Sequence, residues 1–297
     1  MNRVEVTFES GSDTCAAWLY RPTTDGPPTP RPLVVMGHGL GANREMGIDA
    51  YAQRFVAAGF LVLAFDYRGF GASTGEPRQI LDIKAQRADW HAAIAYARTV
   101  GGVDPSRIAL WGSSFGGGHV LAVAADDPTI AAVVSQCPFT DGIASALAVG
   151  PVTLARLSFR AVLDLVGSVL GRPPVMVALA GEHGDAALMS AHDVVAGYGA
   201  LSAQSPLYRP EVAARIALHV PLDAPGRKAK KLAMPVFYAI CDKDTVAPAG
   251  RTAKVAASTP RGVVKHYPVG HFDIYVGEPF EQTVKDQTEF LVANLKP

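Results

Sequence analysis

The sequence predicts an α/β fold: a mostly parallel central sheet with helices on both faces and an inserted helical cap. Three observations lead there. Strand-like and helical stretches alternate from Pro32 to Ser135 and resume at Pro235, the pattern of βαβ units. The strand-like stretches are rich in Val, Leu and Ile without polar alternation, as strands covered on both faces are. Between them, from Phe139 to Lys231, the alternation lapses into helical, apolar patterns, and a break that long in a compact domain marks an insertion.

In chain order, Val4–Glu9 and Thr14–Arg21 read as two antiparallel strands at the sheet edge, followed by a Pro/Gly-rich loop, Pro22–Pro32. Pro32–Met36 is the first core strand, Ile48–Ala58 a helix, Phe60–Phe65 a strand, Leu81–Arg98 a helix and Arg107–Trp111 a strand. An alanine-rich helix opens after Ser114, and Ile130–Ser135 is the next strand. "IASALAVG", "LARLSFRAVLDLVGSVL" and "HDVVAGYGALS" supply the helices of the insertion. Strands return at Pro235–Ile240 and Val263–Tyr267. The division that follows is a core of residues 1–138 and 232–297 around a cap of residues 139–231.

Composition narrows the function classes. The 297 residues are 49% hydrophobic and 18% charged, an ordinary globular balance. The 27 basic and 27 acidic residues cancel, so no charge excess attracts nucleic acid or an anionic membrane. The longest apolar tract, Ala161–Ala180, is broken by Asp164, Arg172 and Pro173-Pro174 and does not read as a membrane span. The first residues, MNRVEVTFESGSD, carry no apolar run of the signal-peptide kind. Cys15, Cys137 and Cys241 are odd in number and far apart, which fits free thiols and gives no metal-ligand spacing. The expectation is a cytoplasmic protein acting on a small molecule, with a homo-oligomer open and no nucleic-acid, membrane, metal or cofactor partner.

The stretch "IALWGSSFGGGHVLAVAA" carries the chemistry. A strand feeding Gly-x-Ser-x-Gly and opening a helix is a nucleophile elbow, where the outer glycines allow a cramped turn and the central serine stands exposed. In Gly112-Ser113-Ser114-Phe115-Gly116 that serine is Ser114, and Ser113 turns into the packing. A serine hydroxyl needs a base, and the base needs an acid to hold its tautomer. Two later stretches, "CDKDTVAP" and "PVGHFDIY", offer them, each where a strand ends and a helix is about to begin.

With "MGHGLGANRE", "LVLAFDYRGFGASTGEPR", "VDPSRIALWGSSFGGGH", "CDKDTVAP" and "GHFDIY", the chain resembles a serine hydrolase of the α/β-hydrolase superfamily over nearly its whole length. Among its branches the chain looks most like bacterial esterases of the dienelactone-hydrolase-like and Xaa-Pro-peptidase-like groups. The resemblance implies a catalytic set of Ser114, Asp244 and His271. Asp244 is preferred over Asp242 because Asp244-Thr245-Val246-Ala247-Pro248 matches the family ending, although Cys241 stands where the family has glycine. It also implies an oxyanion hole from the backbone N–H groups of Phe115 and of Leu40 in His38-Gly39-Leu40, with His38 bracing that loop. Asp66 and Arg68 in "DYRGFGAS" are expected to be structural, and His119, His183, His192 and His266 to stand outside the chemistry. "ALAGEHGD", which mimics a strand followed by an acid, is expected to be a decoy.

The implied activity is hydrolysis of an acyl bond through an acyl-enzyme, first of all a carboxylic ester of a small apolar substrate. Leu147, Val149, Leu154, Leu157, Phe159, Leu163 and Leu165 are candidates for the pocket, with about a third of them expected to meet substrate. Xaa-Pro peptidase, thioesterase and carbon–carbon hydrolase readings stay open, the first with Glu182 or Asp185 as an amine anchor. A non-catalytic small-molecule receptor is the reading from another class.

Overall fold

In the computed structural model, which describes residues 1–23 and 29–297, the chain begins with β1 (Asn2–Ser10), β2 (Asp13–Arg21), β3 (Arg31–Gly37), α1 (Ile48–Ala57) and β4 (Leu61–Phe65). It continues with α2 (Ile83–Thr99), β5 (Val103–Ser113), α3 (Phe115–Asp126) and β6 (Ala132–Gln136). Next come α4 (Gly142–Ala148), α5 (Pro151–Val169), β7 (Met176–Ala180), β8 (Ala187–Met189), α6 (Val194–Ser202), β9 (Glu211–Ala213) and α7 (Ile216–His219). β10 (Val236–Cys241), α8 (Ala249–Ala257), β11 (Gly262–Tyr267) and α9 (Gly277–Leu295) follow. The expected loop Pro22–Pro32 falls partly on residues 24–28, outside the described residues.

Among the described residues the main sheet has eight strands in the order β1-β2-β4-β3-β5-β6-β10-β11. β1 pairs antiparallel with β2, and β2 antiparallel with β4, so the two N-terminal strands sit at one edge as expected. Every other pairing is parallel. Because parallel neighbours point the same way, the carboxyl ends of β3, β5, β6, β10 and β11 share one edge of the sheet. The segments leaving that edge carry the site.

Side-chain alternation along each strand sorts residues into two cores. On one face Leu33 and Val35 of β3 and Tyr238 and Ile240 of β10 join Trp90 of α2, Val120 of α3 and Ala256 of α8. On the other, Val34, Met36, Phe237 and Ala239 join Tyr51 and Phe55 of α1 and Phe280 and Phe290 of α9. Both faces are therefore covered, which is why these strands show no polar alternation. α2 starts where it does because the Asp82 side chain accepts from the N–H groups of Lys84 and Ala85, a cap typically worth about 1 kcal/mol. No single helix among the described residues is long and apolar enough to cross a membrane.

The segment between β6 and β10 departs from the helical expectation. α4, α5 and α6 match the three helical patterns, but β7 pairs parallel with β8 and antiparallel with β9 in a separate three-stranded sheet. The run Met176–Ala180 is five residues long, and periodicity cannot sort so short an apolar run into strand or helix. "ALAGEHGD" thus overlaps a real strand, but one outside the main sheet, and Asp185 is exposed.

Asp164 fastens this segment together. Its buried carboxylate accepts from the Val175 N–H at 2.9 Å, the Arg215 N–H at 2.9 Å, and Arg215 Nε and Nη2 at 2.6 and 2.9 Å. Removing one side of a buried ion pair leaves the other charge and its amide donors unpaired. Asp164→Ala should therefore lower the unfolding free energy by about 3 kcal/mol; a change below about 1 kcal/mol in urea denaturation would contradict this account.

Candidate active site

β5 passes into α3 through a single residue, Ser114, at φ 57° and ψ −118°. A side chain held there typically costs about 1–3 kcal/mol and persists only where the surroundings enforce it. The surroundings do so in two ways. The Ser114 N–H donates to the Gln136 carbonyl at 2.9 Å, and the Ser114 carbonyl accepts from Phe139 N–H at 2.9 Å and Gly118 N–H at 3.2 Å. The neighbouring glycines also have no room for side chains. A Cβ at Gly112 would lie 2.2 Å from the Gly116 carbonyl oxygen, and one at Gly116 would lie 2.6 Å from that of His38.

The two adjacent serines separate completely. Ser113 Oγ lies 2.5 Å from the Tyr275 hydroxyl and 3.5 Å from Cys137 Sγ, and it accepts from Gln136 Nε2 at 3.1 Å. Ser114 Oγ instead meets His271 Nε2 at 3.0 Å. His271 Nδ1 lies 2.7 Å from Asp244 Oδ2, while Asp244 Oδ1 accepts from the Val246 and Ala247 N–H groups at 2.8 and 2.7 Å. A carboxylate can only accept, so the network puts the proton on Nδ1 and leaves Nε2 to accept from Ser114.

Both partners are enclosed, with 3% of the His271 side chain and 2% of the Asp244 side chain exposed. Burial alone would lower the His271 pKa; the Asp244 charge, joined by the neighbouring Cys137 sulfur, outweighs it and raises the imidazole well above its ordinary value. Asp242, the competing acid, points away and pairs with His266 at 2.6 Å on an exposed surface. The structure thus brings Ser114, His271 and Asp244 together from the ends of β5, β11 and β10.

Residues 38–41, leaving β3, run beside Ser114. A Cβ on Gly39 would lie 3.2 Å from that of Ser114, and Leu40 and Phe115 both border the cavity that contains Ser114. The Tyr198 hydroxyl of α6 donates to the Leu40 carbonyl, and His38 Nδ1 donates to the Gly39 carbonyl at 3.0 Å. Burial pushes the His38 pKa down to about 4, so this ring is neutral and its contact is a brace. Asp66 holds the same loop from behind, accepting from Arg44 N–H at 2.7 Å and Ala72 N–H at 3.0 Å. Arg68 Nε donates to Asp89 at 2.8 Å and His119 pairs with Gln86 at 2.9 Å, both away from Ser114, while His183 and His192 are exposed.

Two cavities meet at Ser114. The larger, about 820 Å³ counted to its open mouth, is bordered by Phe115, Phe139, Val149, Leu154, Leu157, Met189 and Val246 among others, with no charged side chain. Of the seven expected lining residues Val149, Leu154 and Leu157 are there; Leu147, Phe159, Leu163 and Leu165 are exposed instead. Helical periodicity located apolar residues on α5 but not which side faced the core. A second cavity of about 440 Å³ is bordered by His38, Met46, Tyr198, His271, Phe272 and Tyr275, and shares Leu40, Ser114 and Met189 with the first.

Sequence reasoning missed Cys137 and Tyr275. Cys137 follows β6, and its sulfur, a His271 nitrogen and an Asp244 oxygen lie within 4.8 Å of one another. These are donor types that hold zinc, yet both His271 nitrogens are engaged by Ser114 and Asp244. All three cysteines are free, as expected, and all three are buried. The signal for Cys137 was its place at a strand end, legible only once β6 is known to lie between β5 and β10.

Comparison with known proteins bears on this geometry. The family model described as "Serine aminopeptidase, S33" matches residues 28–274. The chain is similar to the "Quorum-quenching protein AidA" of Acinetobacter baumannii, 51% identical over 288 residues, which are 97% of this chain and 94% of that protein. Over a shorter span it is similar to "Thiohydrolase aneE" of Aspergillus aculeatus, 37% identical over 110 residues, 37% of this chain and 35% of that one. The solved structure of the α/β hydrolase GrgF from Penicillium sp. sh18 shares the fold, with a TM-score of 0.85 at 22% identity and both chains covered completely.

The hydrogen bonds of Ser113 imply a stability role. Ser113→Ala should lower the unfolding free energy by about 1–2 kcal/mol, because the Tyr275 hydroxyl and the Gln136 amide each lose a partner in a buried setting. Urea denaturation with no measurable loss would contradict it.

Proposed function

The chain belongs to the serine aminopeptidase S33 family of α/β hydrolases, and from that membership we propose that it is a serine hydrolase cleaving an ester or thioester of a small apolar acyl group. One observation carries the proposal: Ser114 Oγ lies 3.0 Å from His271 Nε2 at the edge of an uncharged cavity, with Asp244 behind the imidazole.

In this mechanism Ser114 attacks the acyl carbonyl as His271 Nε2 takes the hydroxyl proton. Asp244 keeps the other ring proton on Nδ1 and stabilises the imidazolium that forms. The tetrahedral oxyanion is held by the N–H groups of Phe115, at the start of α3 where the peptide dipoles add to it, and of Leu40. His271 then returns the proton to the leaving group, and the same histidine activates water to release the acyl group from Ser114. Residues 139–231 serve as the cap, since Val149, Leu154, Leu157 and Met189 close the cavity over Ser114.

The uncharged lining favours an apolar acyl group over a peptide with a free amine. Glu182 and Asp185, the possible amine anchors, are exposed, and neither borders either cavity. A thioester is supported by the thiohydrolase relative, and the same machinery serves it. The quorum-quenching name of the 51% identical relative supports a small diffusible signal with a hydrolysable acyl bond as the physiological substrate. The assembled Ser, His and Asp set counts against a receptor without turnover.

A fluorophosphonate probe should label the wild type and leave Ser114→Ala unlabelled; labelling that persists in the variant would overturn the nucleophile. Asp244→Asn should lower kcat by about 10⁴, whereas Asp242→Asn should change it less than about tenfold; the reverse order would assign the acid to Asp242. p-Nitrophenyl esters and acyl thioesters of rising chain length should be hydrolysed, and aminoacyl anilides not; the opposite pattern would make the protein a peptidase.

The pH dependence follows from His271. It works as a base only when neutral, and its pKa is raised, so kcat/KM should climb with pH and reach half its plateau above the ordinary imidazole value of about 6.5. An acid limb centred well below that value would contradict the Asp244 contact.

A further inference from the structure

The two cavities that meet at Ser114 divide a substrate between them. The leaving group takes its proton from His271, and of the two cavities only the smaller is bordered by His271. The acyl chain therefore occupies the larger one, whose polar side chains besides Ser114 are the hydroxyls of Ser145, Ser190 and Thr245. Thr245 already donates to Asp193 Oδ1 at 2.6 Å, and Ser145 is half-buried and open to water. Ser190 differs from both. It is 4% exposed, and its hydroxyl has no hydrogen-bond partner among the described residues. Burying a hydroxyl without a partner is destabilising, and native proteins leave few such groups.

Ser190 directly follows β8, and its neighbour Met189 borders both cavities. The hydroxyl thus belongs to the part of the wall nearest the junction at Ser114. No Lys, Arg, Asp or Glu borders the larger cavity, so a charged group brought there would stay unpaired. The group that completes Ser190 is instead a neutral oxygen that accepts its proton. We propose that Ser190 is a specificity-determining residue, donating to a neutral keto or hydroxyl oxygen on an otherwise apolar acyl chain, close to the carbonyl that Ser114 attacks. This rests on the hydrolase reading for which end of the substrate Ser190 meets, while the hydrogen bond itself requires no turnover. A chain without the oxygen fits the same apolar wall but leaves Ser190 unpaired, and the site discriminates against it for that reason.

Ethyl hexanoate and its derivatives with a keto oxygen at the third, fourth or fifth carbon, hydrolysed by the wild type and by Ser190→Ala, test this. The readout is the kcat/KM of each keto ester divided by that of the plain ester, compared between the two proteins. That comparison cancels intrinsic ester reactivity and any loss of folded enzyme. For at least one keto position the ratio should fall about tenfold in Ser190→Ala, the effect of one buried neutral hydrogen bond. A change below about twofold at all three positions would overturn the proposal. Calorimetric titration of the same esters into Ser114→Ala and Ser114→Ala/Ser190→Ala should show the same loss of keto preference in Kd. If the wild type hydrolyses none of the esters while that binding preference holds, the catalytic reading fails and the Ser190 contact stands. If hydrolysis proceeds with no preference that depends on Ser190, the contact fails and the catalytic reading stands. The urea midpoint of Ser190→Ala should equal or exceed that of the wild type; a clear fall would give the hydroxyl a partner within the protein and overturn the proposal as well.

Discussion

The backbone at Ser114 is the constraint on which the rest of the site depends. A strand, a helix and the loop after β3 converge within carbonyl contact of one another, with 2.2 Å between a Cβ at Gly112 and the Gly116 oxygen and 2.6 Å between a Cβ at Gly116 and the His38 oxygen. Only glycine satisfies those distances, and that convergence, together with the backbone hydrogen bonds of Ser114, holds it at φ 57°. The strain is of the order of a few kcal/mol. It is offset by the two large cores on either face of the sheet and by the backbone hydrogen bonds of Ser114 to Gln136, Gly118 and Phe139. In return the hydroxyl stands clear of its own strand and reaches His271.

Around that point the polar groups divide by environment. His271 and His38 are both enclosed, but Asp244 lies 2.7 Å from His271 and raises its pKa, whereas Asp66 comes no nearer to His38 than 4.0 Å and burial, aided by the Arg44 charge, drives that ring down to about 4. One imidazole is poised to take a proton and the other is a neutral strut. Asp66, pushed up to about 6 by burial, is likewise consumed by structure, accepting backbone N–H groups from the loops it joins. The enclosure strengthens the contacts that face a partner and silences the titrations of those that do not.

The segment over the sheet edge follows a different logic. It is held by Asp164 and Arg215, by a small sheet of its own, and by Tyr198 donating to the Leu40 carbonyl. Part of α5 borders the cavity while its outer side offers an apolar seam to solvent. Amphipathic reasoning assumes that the apolar side of a helix faces its own core. α5 violates that assumption, so Phe159, Leu163 and Leu165, which its apolar pattern assigns to the pocket, are exposed instead.

The sequence alone determined what short-range chemistry determines. Alternating strand and helix patterns located β3 through β6, β10 and β11 to within a few residues, because apolar periodicity and glycine punctuation are local. The Gly112 to Gly116 turn singled out Ser114 over Ser113 for the same reason: the apex of a strand-to-helix turn is set by the residues that form it. Asp244 and His271 were legible from their places at strand ends and from family resemblance. The tertiary structure decided which groups became neighbours across β5, β6, β10 and β11. Cys137 entered the cluster beside His271, Tyr275 capped Ser113, and His266 drew Asp242 away from the site. It also decided which side of α5 faced inward. Those outcomes depend on strand order and on contacts between residues far apart in the chain, and no local pattern encodes them.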